Sequence, residues 1–249
     1  MNAGFSFLDD IKASAPANRL AVLPVSVVEV AASGDAGIRG ESNHDSQSSR
    51  NGFSPFPFEA AELSASLFLR DCKQVVDPFS GWGERGEAMG RHAIKYTGFD
   101  LSPVAIDNAM RVYGVKNTLA DSRTVDVPEH DGLFTCPPYW NLEDYGNGGI
   151  DQAKQWREFL RDYALILERF SKRCAKGTYC IMTGDWRENG KYYDLTYQTE
   201  KIMDALGFEP FDKVVVSRLG ISKVKIMLPQ AKRLGYTVKV HETISVFKR

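Results

Sequence analysis

From Lys73 onward the chain alternates short runs of apolar, β-branched residues with longer stretches whose apolar positions recur at helical spacing. QVVDPF (74–79) reads as a buried strand, followed by a helix over about 84–92. KYTGFD (95–100) is a second strand, after which Ser102 and Pro103 supply an N-cap and a first helical residue. GLFT (132–135) is a third short strand. Trp156, Phe159, Leu160, Tyr163, Ile166, Leu167 and Phe170 fall on one face of a long amphipathic helix. TYCIMTGD (178–185) is strand-like and 193–206 helical, while KVVVSRL (213–219) and ETISVFK (242–248) close the chain in β-rich runs. Such alternation predicts an α/β fold with a mostly parallel sheet.

Upstream, LAVLPVSVVEVAA (20–32) holds the β-branched residues of one further strand, with Pro24 near its start. Residues 33–54 contain few large apolar side chains and read as a mobile linker. The expected organisation is an N-terminal extension, 1–53, with its flexible part at about 33–53, and a main domain over 54–249. Within the latter, 218–240 mixes lysines with apolar residues, as a small insert that contacts a polyanion would.

Composition adds limits. At 249 residues, 43% hydrophobic and 25% charged, the chain resembles an ordinary soluble globular protein. No apolar run approaches the ~18–20 residues of a membrane span, and Asp9 and Asp10 argue against a secretory signal. The four cysteines (72, 136, 174 and 180) form no C-x-x-C pair, so no metal site is expected and reduced thiols in a cytoplasm are the simplest reading. The formal net charge of −1 hides an asymmetry: 211–249 carries nine basic residues against Asp212 and Glu242, leaving +7 there and −8 elsewhere. A one-sided basic surface suits phosphate binding, and a solvated lysine-rich face explains the same count.

Two motifs carry chemistry. Gly81, Gly83 and Gly86 form G-x-G-x-x-G between a strand and a helix, and Asp100 ends the next strand. Glycines admit a ligand close to the backbone, and such an acid bonds a ribose diol. A nicotinamide dinucleotide fits this pattern alone. However, Asp77-Pro78 precedes the loop, where a carboxylate repels a pyrophosphate and attracts the sulfonium and ammonium groups of S-adenosylmethionine. The second motif is TCPPYW (135–140). Pro137 and Pro138 impose a rigid extended backbone and remove two amide donors, so carbonyls face a ligand beside the flat rings of Tyr139 and Trp140. That equipment holds a flipped-out base and aims acceptors at its amino group. Acceptors on the amine hydrogens localise the nitrogen lone pair for attack on a sulfonium methyl, a reaction carried by positioning and electrostatics.

In these residues the chain resembles the amino-methyltransferases that modify adenine N6 or cytosine N4 in DNA. VVDPFSGWGERG is similar to their cofactor motif, GFD to their ribose-binding acid, and TCPPYW to their (D/N/S)-P-P-(Y/F/W) motif. The resemblance covers roughly 54–249 and implies a Rossmann-like sheet of seven strands, mostly parallel with an antiparallel C-terminal strand, and helices on both faces. It implies Cys136, Pro137, Pro138 and Tyr139 as catalytic residues. Phe56, Asp77, Phe79, Gly81, Gly83, Asp100, Leu101, Asp121 and Ser122 would bind S-adenosylmethionine. Trp140, Glu143, Asp185, Arg218, Lys223 and Lys225 are substrate or DNA candidates. Duplex DNA with a flipped target base is the implied partner, in the cytoplasm of a bacterial or phage-infected cell, as in restriction-modification.

Cys136 departs from the family pattern. A thiol is a weak acceptor, so the Pro137 carbonyl carries more of the burden, and the likeness of cysteine to serine favours cytosine N4 by a small margin. A nucleophilic Cys136, as in cytosine-C5 enzymes, lacks a general-acid partner. For sequence recognition only the N-terminal 50 residues and the basic stretch 218–240 are available, which leaves open a short site, relaxed specificity, or recognition supplied by a second copy or a partner subunit. Alternatives left open by the residues are methyl transfer to RNA or another planar amine, a catalytically silent nucleic-acid-binding subunit, and, more weakly, a nicotinamide oxidoreductase.

Overall fold

The computed structural model describes residues 24–30, 56–142, 148–217 and 222–249, with backbone only over 222–226. The elements are β1 (Val27–Glu29) and α1 (Phe58–Leu63), which continues into a π-helical turn over Ser64–Phe68. Next come β2 (Gln74–Asp77), α2 (Glu84–Arg91), β3 (Lys95–Asp100), α3 (Pro103–Asn108) and the two-residue β4 (Thr118–Leu119). They are followed by β5 (Gly132–Thr135), α4 (Trp156–Ser171), β6 (Thr178–Thr183) and a hairpin of β7 (Trp186–Glu188) and β8 (Lys191–Tyr193). The chain ends with α5 (Leu195–Ala205), β9 (Glu209–Ser217), α6 (Ser222–Leu234) and β10 (His241–Lys248).

One sheet runs β1-β9-β10-β6-β5-β2-β3-β4. β10 is antiparallel to both its neighbours, and every other pairing is parallel. The sheet therefore has eight strands, not seven. The additional strand comes from the N-terminal extension: Val27–Glu29 lies parallel to β9, with Val27 opposite Val215 and Glu29 opposite Ser217. An open edge offers unpaired backbone groups that a β-branched run readily satisfies. β9 begins at Glu209, four residues before the apolar run read from the sequence, because its first five residues are exposed and carry no alternation.

Alternation along the central strands builds a core on each face of the sheet. Val76, Leu133, Tyr179 and Ile181 face one cluster, while Val75, Phe134, Cys180 and Met182 face the other. The first is covered by α4, whose buried Phe159, Tyr163, Ile166, Leu167 and Phe170 follow the predicted stripe. A Gln155/Glu158 capping box starts that helix. The second is covered by α1 and α2 through Ala60, Ala61, Leu63, Ala88 and Met89. Each large apolar side chain so buried contributes about 1.5–3 kcal/mol. Among the described residues, no helix is long and apolar enough to cross a membrane.

From β2 the chain moves outward to β3 and β4, then returns to place β5 on the other side of β2. The strand order thus reverses between β2 and β5, and the loops leaving their carboxyl ends diverge there. In open α/β sheets that crevice is where ligands bind.

Candidate functional site

Both motifs emerge at this switch point. Val75 and Val76 of β2 pair with Gly132 and Leu133 of β5, so the glycine loop and the Pro-Pro-Tyr segment leave adjacent strand ends. Gly83 caps α2 at φ 106, and a Cβ there would lie 2.9 Å from that of Ala109. At Gly86 a Cβ would come within 2.5 Å of the Val115 side chain, so the third glycine seats α2 on its neighbours.

Asp77 joins the two motifs. Its carboxylate is fully buried and accepts four hydrogen bonds. Oδ1 receives the Phe79 amide (3.0 Å) and the Thr135 hydroxyl (2.6 Å). Oδ2 receives Arg85 Nε (2.7 Å) and the Tyr96 hydroxyl (2.8 Å). The Arg85 guanidinium also donates to the Phe79 carbonyl at 2.5 Å and lies 4.7 Å above the Phe56 ring. Burial alone would lower the Arg85 pKa, but the adjacent Asp77 raises it above its ordinary value. Burial, followed by Asp77, raises that of Tyr96. Asp77, expected to face a cationic ligand, is thus saturated from within the protein. Its charge holds Arg85, the glycine loop and the residue before Cys136 in one network.

Asp100 differs. Each of its oxygens accepts one backbone amide, Gly81 at 2.8 Å and Ser102 at 2.9 Å. A carboxylate has about four acceptor positions, so a diol can be bonded at the same group. Burial raises the Asp100 pKa, and these two amides partly offset the effect. Beside it, Leu101 and Phe79 are half-buried, and Phe79 packs 6.4 Å from the Tyr163 ring. Ser122 is buried and donates to the Pro78 carbonyl (2.7 Å), tying the segment after β4 to the glycine loop. Asp121 is ion-paired with Arg123 at 2.7 Å, which lowers its pKa.

In the second motif Pro137 is buried, and Cys136, Pro138 and Tyr139 are half-buried. The Cys136 sulfur lies 4.0 Å from the Pro137 carbonyl and 3.9 Å from the Tyr139 hydroxyl. Tyr139 donates to Glu242 Oε1 (2.6 Å) and stacks on Trp186, with centroids 5.9 Å apart and planes at 15°. Trp140 is buried and donates its Nε1 to the Ala153 carbonyl (2.7 Å), so it braces the loop from inside. Further rings connect the motifs: Trp186 meets Trp156 at 5.6 Å, Trp156 meets Phe159 at 5.2 Å, and Phe159 meets Tyr163 at 6.0 Å. Tyr163 then reaches Phe79 of the glycine loop.

Sequence reading did not single out Glu242, Trp186, Tyr96 or Thr135. Glu242 is brought in by strand register: Thr243 pairs with Thr183, which sets Glu242 beside Gly184 and Tyr139. Thr135 and Trp186 each stand next to a residue that was chosen, and a polar residue ending a buried strand was the available signal. Asp185 accepts from the Tyr192 hydroxyl (2.6 Å) and the Thr196 amide (3.0 Å), joining the hairpin to α5. Lys223 and Lys225 lie on α6, and Glu143 and Arg218 fall outside the described residues.

No family model matches the chain. It is 30% identical over 109 residues to the type II methyltransferase M.SmaI of Serratia marcescens, covering 41% of this chain and 36% of that protein. The chain thus matches about a third of that relative's length. Magnesium protoporphyrin IX methyltransferase (ChlM) of Synechocystis PCC 6803, solved with bound SAM, superposes with a TM-score of 0.50 and 10% identity, over 84% of this chain and 86% of that one. The fold is the Rossmann-like fold of S-adenosylmethionine-dependent methyltransferases. The cyclase SpnF also superposes with a TM-score of 0.50 and 16% identity, over 80% of this chain and 86% of that one. One fold thus accompanies different named activities, and chemistry must be argued from the site.

Proposed function

We propose that the protein is an S-adenosylmethionine-dependent methyltransferase acting on the exocyclic amino group of a flipped-out DNA base, cytosine N4 ahead of adenine N6. One observation carries this reading. The buried Asp77 network ties the glycine loop to Thr135, immediately before Cys136-Pro-Pro-Tyr, at the reversal point of the sheet. A nucleotide-type ligand and a planar amine therefore find their holders on adjacent loops. The similarity to a type II methyltransferase and the basic stretch over 211–249 support DNA as the substrate.

The residues present fit the cofactor. Asp100 has acceptor capacity for a ribose diol, and the neutralised Asp77–Arg85 pair leaves no uncompensated cation to repel a sulfonium. S-adenosylmethionine supplies the electrophilic methyl group there. Tyr139 stacks the base, held in place by Glu242 and Trp186. The Pro137 carbonyl accepts from the amino group and localises its lone pair, while the Cys136 sulfur is a weaker second acceptor. The chain of rings between Tyr139 and Phe79 excludes water along the wall joining the two motifs.

Labelled-methyl transfer to duplex DNA followed by nucleoside mass spectrometry tests this reading directly. N4-methylcytosine or N6-methyladenine is expected. Label confined to 5-methylcytosine, or absent from every nucleoside, would overturn it.

A pH series tests the diol holder. The folded Asp100 pKa lies above the unfolded value, so the folded state holds more protons between the two. Its ionised form then costs stability, a cost that sets in as pH rises through this window and is relieved as pH falls back through it. Donation from a diol favours the ionised form, so cofactor affinity should fall as pH drops through the raised Asp100 titration. Calorimetry should show this fall in the wild type and a weak, flat profile in Asp100→Ala. A matching fall in that variant would remove Asp100 from the cofactor site.

A further inference from the structure

The β7–β8 hairpin has two faces with different work. Trp186 turns inward to stack on Tyr139, and Glu188 accepts from Asn141, so its inner face holds the Pro-Pro-Tyr loop. Alternation in a strand sends Arg187 to the other side, where Arg187 and its cross-strand partner Tyr192 are exposed. There the segment after α6 meets it, and cations and rings interleave. The Arg187 guanidinium lies 5.0 Å from the Tyr192 ring and 5.3 Å from that of Tyr236, and Lys239 Nζ lies 5.2 Å from the opposing Tyr192. Lys191, paired with Glu188 on the opposite face, sits 5.0 Å from the Tyr193 ring.

The carboxylates nearby are already engaged. Asp185 accepts from Tyr192 and Thr196, Glu188 from Asn141, and Asp194 from Gln198. Among the described residues, no ion pair joins Arg187, Lys191 or Lys239 to an acid. The result is an exposed positive surface whose guanidinium lies near two rings and donates to the Gly190 carbonyl at 3.5 Å. A guanidinium has five N–H donors, so one placed in this way keeps donors for a phosphate. α6 adds exposed Lys232 and Arg233, and of its described side chains only Ala231 is buried.

We propose that Arg187, Tyr192, Tyr236 and Lys239 form a cation–aromatic clamp that grips the phosphodiester backbone of DNA beside the target base. This rests on the functional reading above and assigns it a docking surface. Because Trp186 and Arg187 are consecutive residues, backbone held on the outer face of the hairpin is coupled to the ring that positions Tyr139. The clamp sets register and orientation without reading sequence, as phosphate contacts do.

The test measures equilibrium binding of a fluorescent duplex by anisotropy, which needs no methyl transfer. R187E/K239E is compared with wild type and with K73E/K95E, an equal charge change at exposed positions at the amino ends of β2 and β3. At about 0.1 M salt, R187E/K239E should weaken binding by roughly tenfold or more, with the slope of log affinity against log salt shallower by about 2. K73E/K95E should stay within about twofold of wild type. Equal losses in both variants, no change in R187E/K239E, or no duplex binding by the wild type would each overturn the clamp. The functional reading fails separately. If wild type binds duplex and transfers no methyl, while R187E/K239E still loses affinity, the clamp stands and the activity does not. Unchanged cofactor affinity and thermal midpoint in R187E/K239E should show that the fold and the cofactor loop are intact.

Discussion

Replacing Tyr139 with alanine should lower kcat/KM for the nucleic acid by roughly tenfold to a hundredfold, since base stacking on an aromatic ring contributes about 1–3 kcal/mol. Affinity for S-adenosylmethionine should stay within about twofold, because the glycine loop keeps its own support from Asp77. Two losses combine in this variant: the ring on which a base would lie, and the hydroxyl that donates to Glu242 at 2.6 Å. Tyr139→Phe separates them by keeping the Trp186 stack and removing only the bond. A loss of a few-fold there, about 1 kcal/mol, would assign the remainder to the ring. Steady-state kinetics with labelled cofactor reads both variants, and full activity in Tyr139→Ala would remove the stacked-base mechanism.

Arg85→Met should destabilise the protein by about 3–5 kcal/mol, the range for removing one partner of a buried ion pair. Asp77 is wholly buried, and its three other hydrogen bonds, from Phe79, Thr135 and Tyr96, satisfy its geometry without cancelling its charge. Arg85 also loses its place over Phe56 and its bond to the Phe79 carbonyl. The double variant Asp77→Asn/Arg85→Met removes both charges and should recover much of the loss. Urea unfolding of the two variants measures the difference. A single-variant loss below about 1 kcal/mol would mean that neutral hydrogen bonds suffice to hold Asp77.

The sequence was most readable where one local rule decides the structure. KYTGFD and GLFT are strands over the ranges read from their patterns, and the periodic stripe of α4 is the buried face observed. The antiparallel final strand is present as β10. Less readable were features set by distant pairing. The eighth strand depends on three residues finding the edge of β9, nearly two hundred positions away. The hairpin at 186–193 is too short and too polar to show alternation. At the site, strand order was enough to bring the glycine loop and the Pro-Pro-Tyr loop together. Side-chain partners far apart in sequence were not legible: Tyr139 and Glu242 meet across 103 positions through the register of β10 on β6. Asp77 was read as facing a ligand because it ends a strand just before the glycine loop, where its charge suits a sulfonium. Its partners Tyr96 and Thr135 come from two flanking strands, which a linear pattern does not reveal.

The chain of rings has an optical consequence. The protein has four tryptophans. Trp82 lies within the glycine loop, and Trp140, Trp156 and Trp186 crowd around Tyr139 and Tyr193 at centroid separations of 5.2–5.9 Å. Nothing elsewhere in the fold carries an indole. Indole emission, excited to the red of tyrosine absorption, is therefore a signal from the candidate site, with no label needed. Separations this short also favour energy transfer among the rings, so perturbing one of them is read by the others.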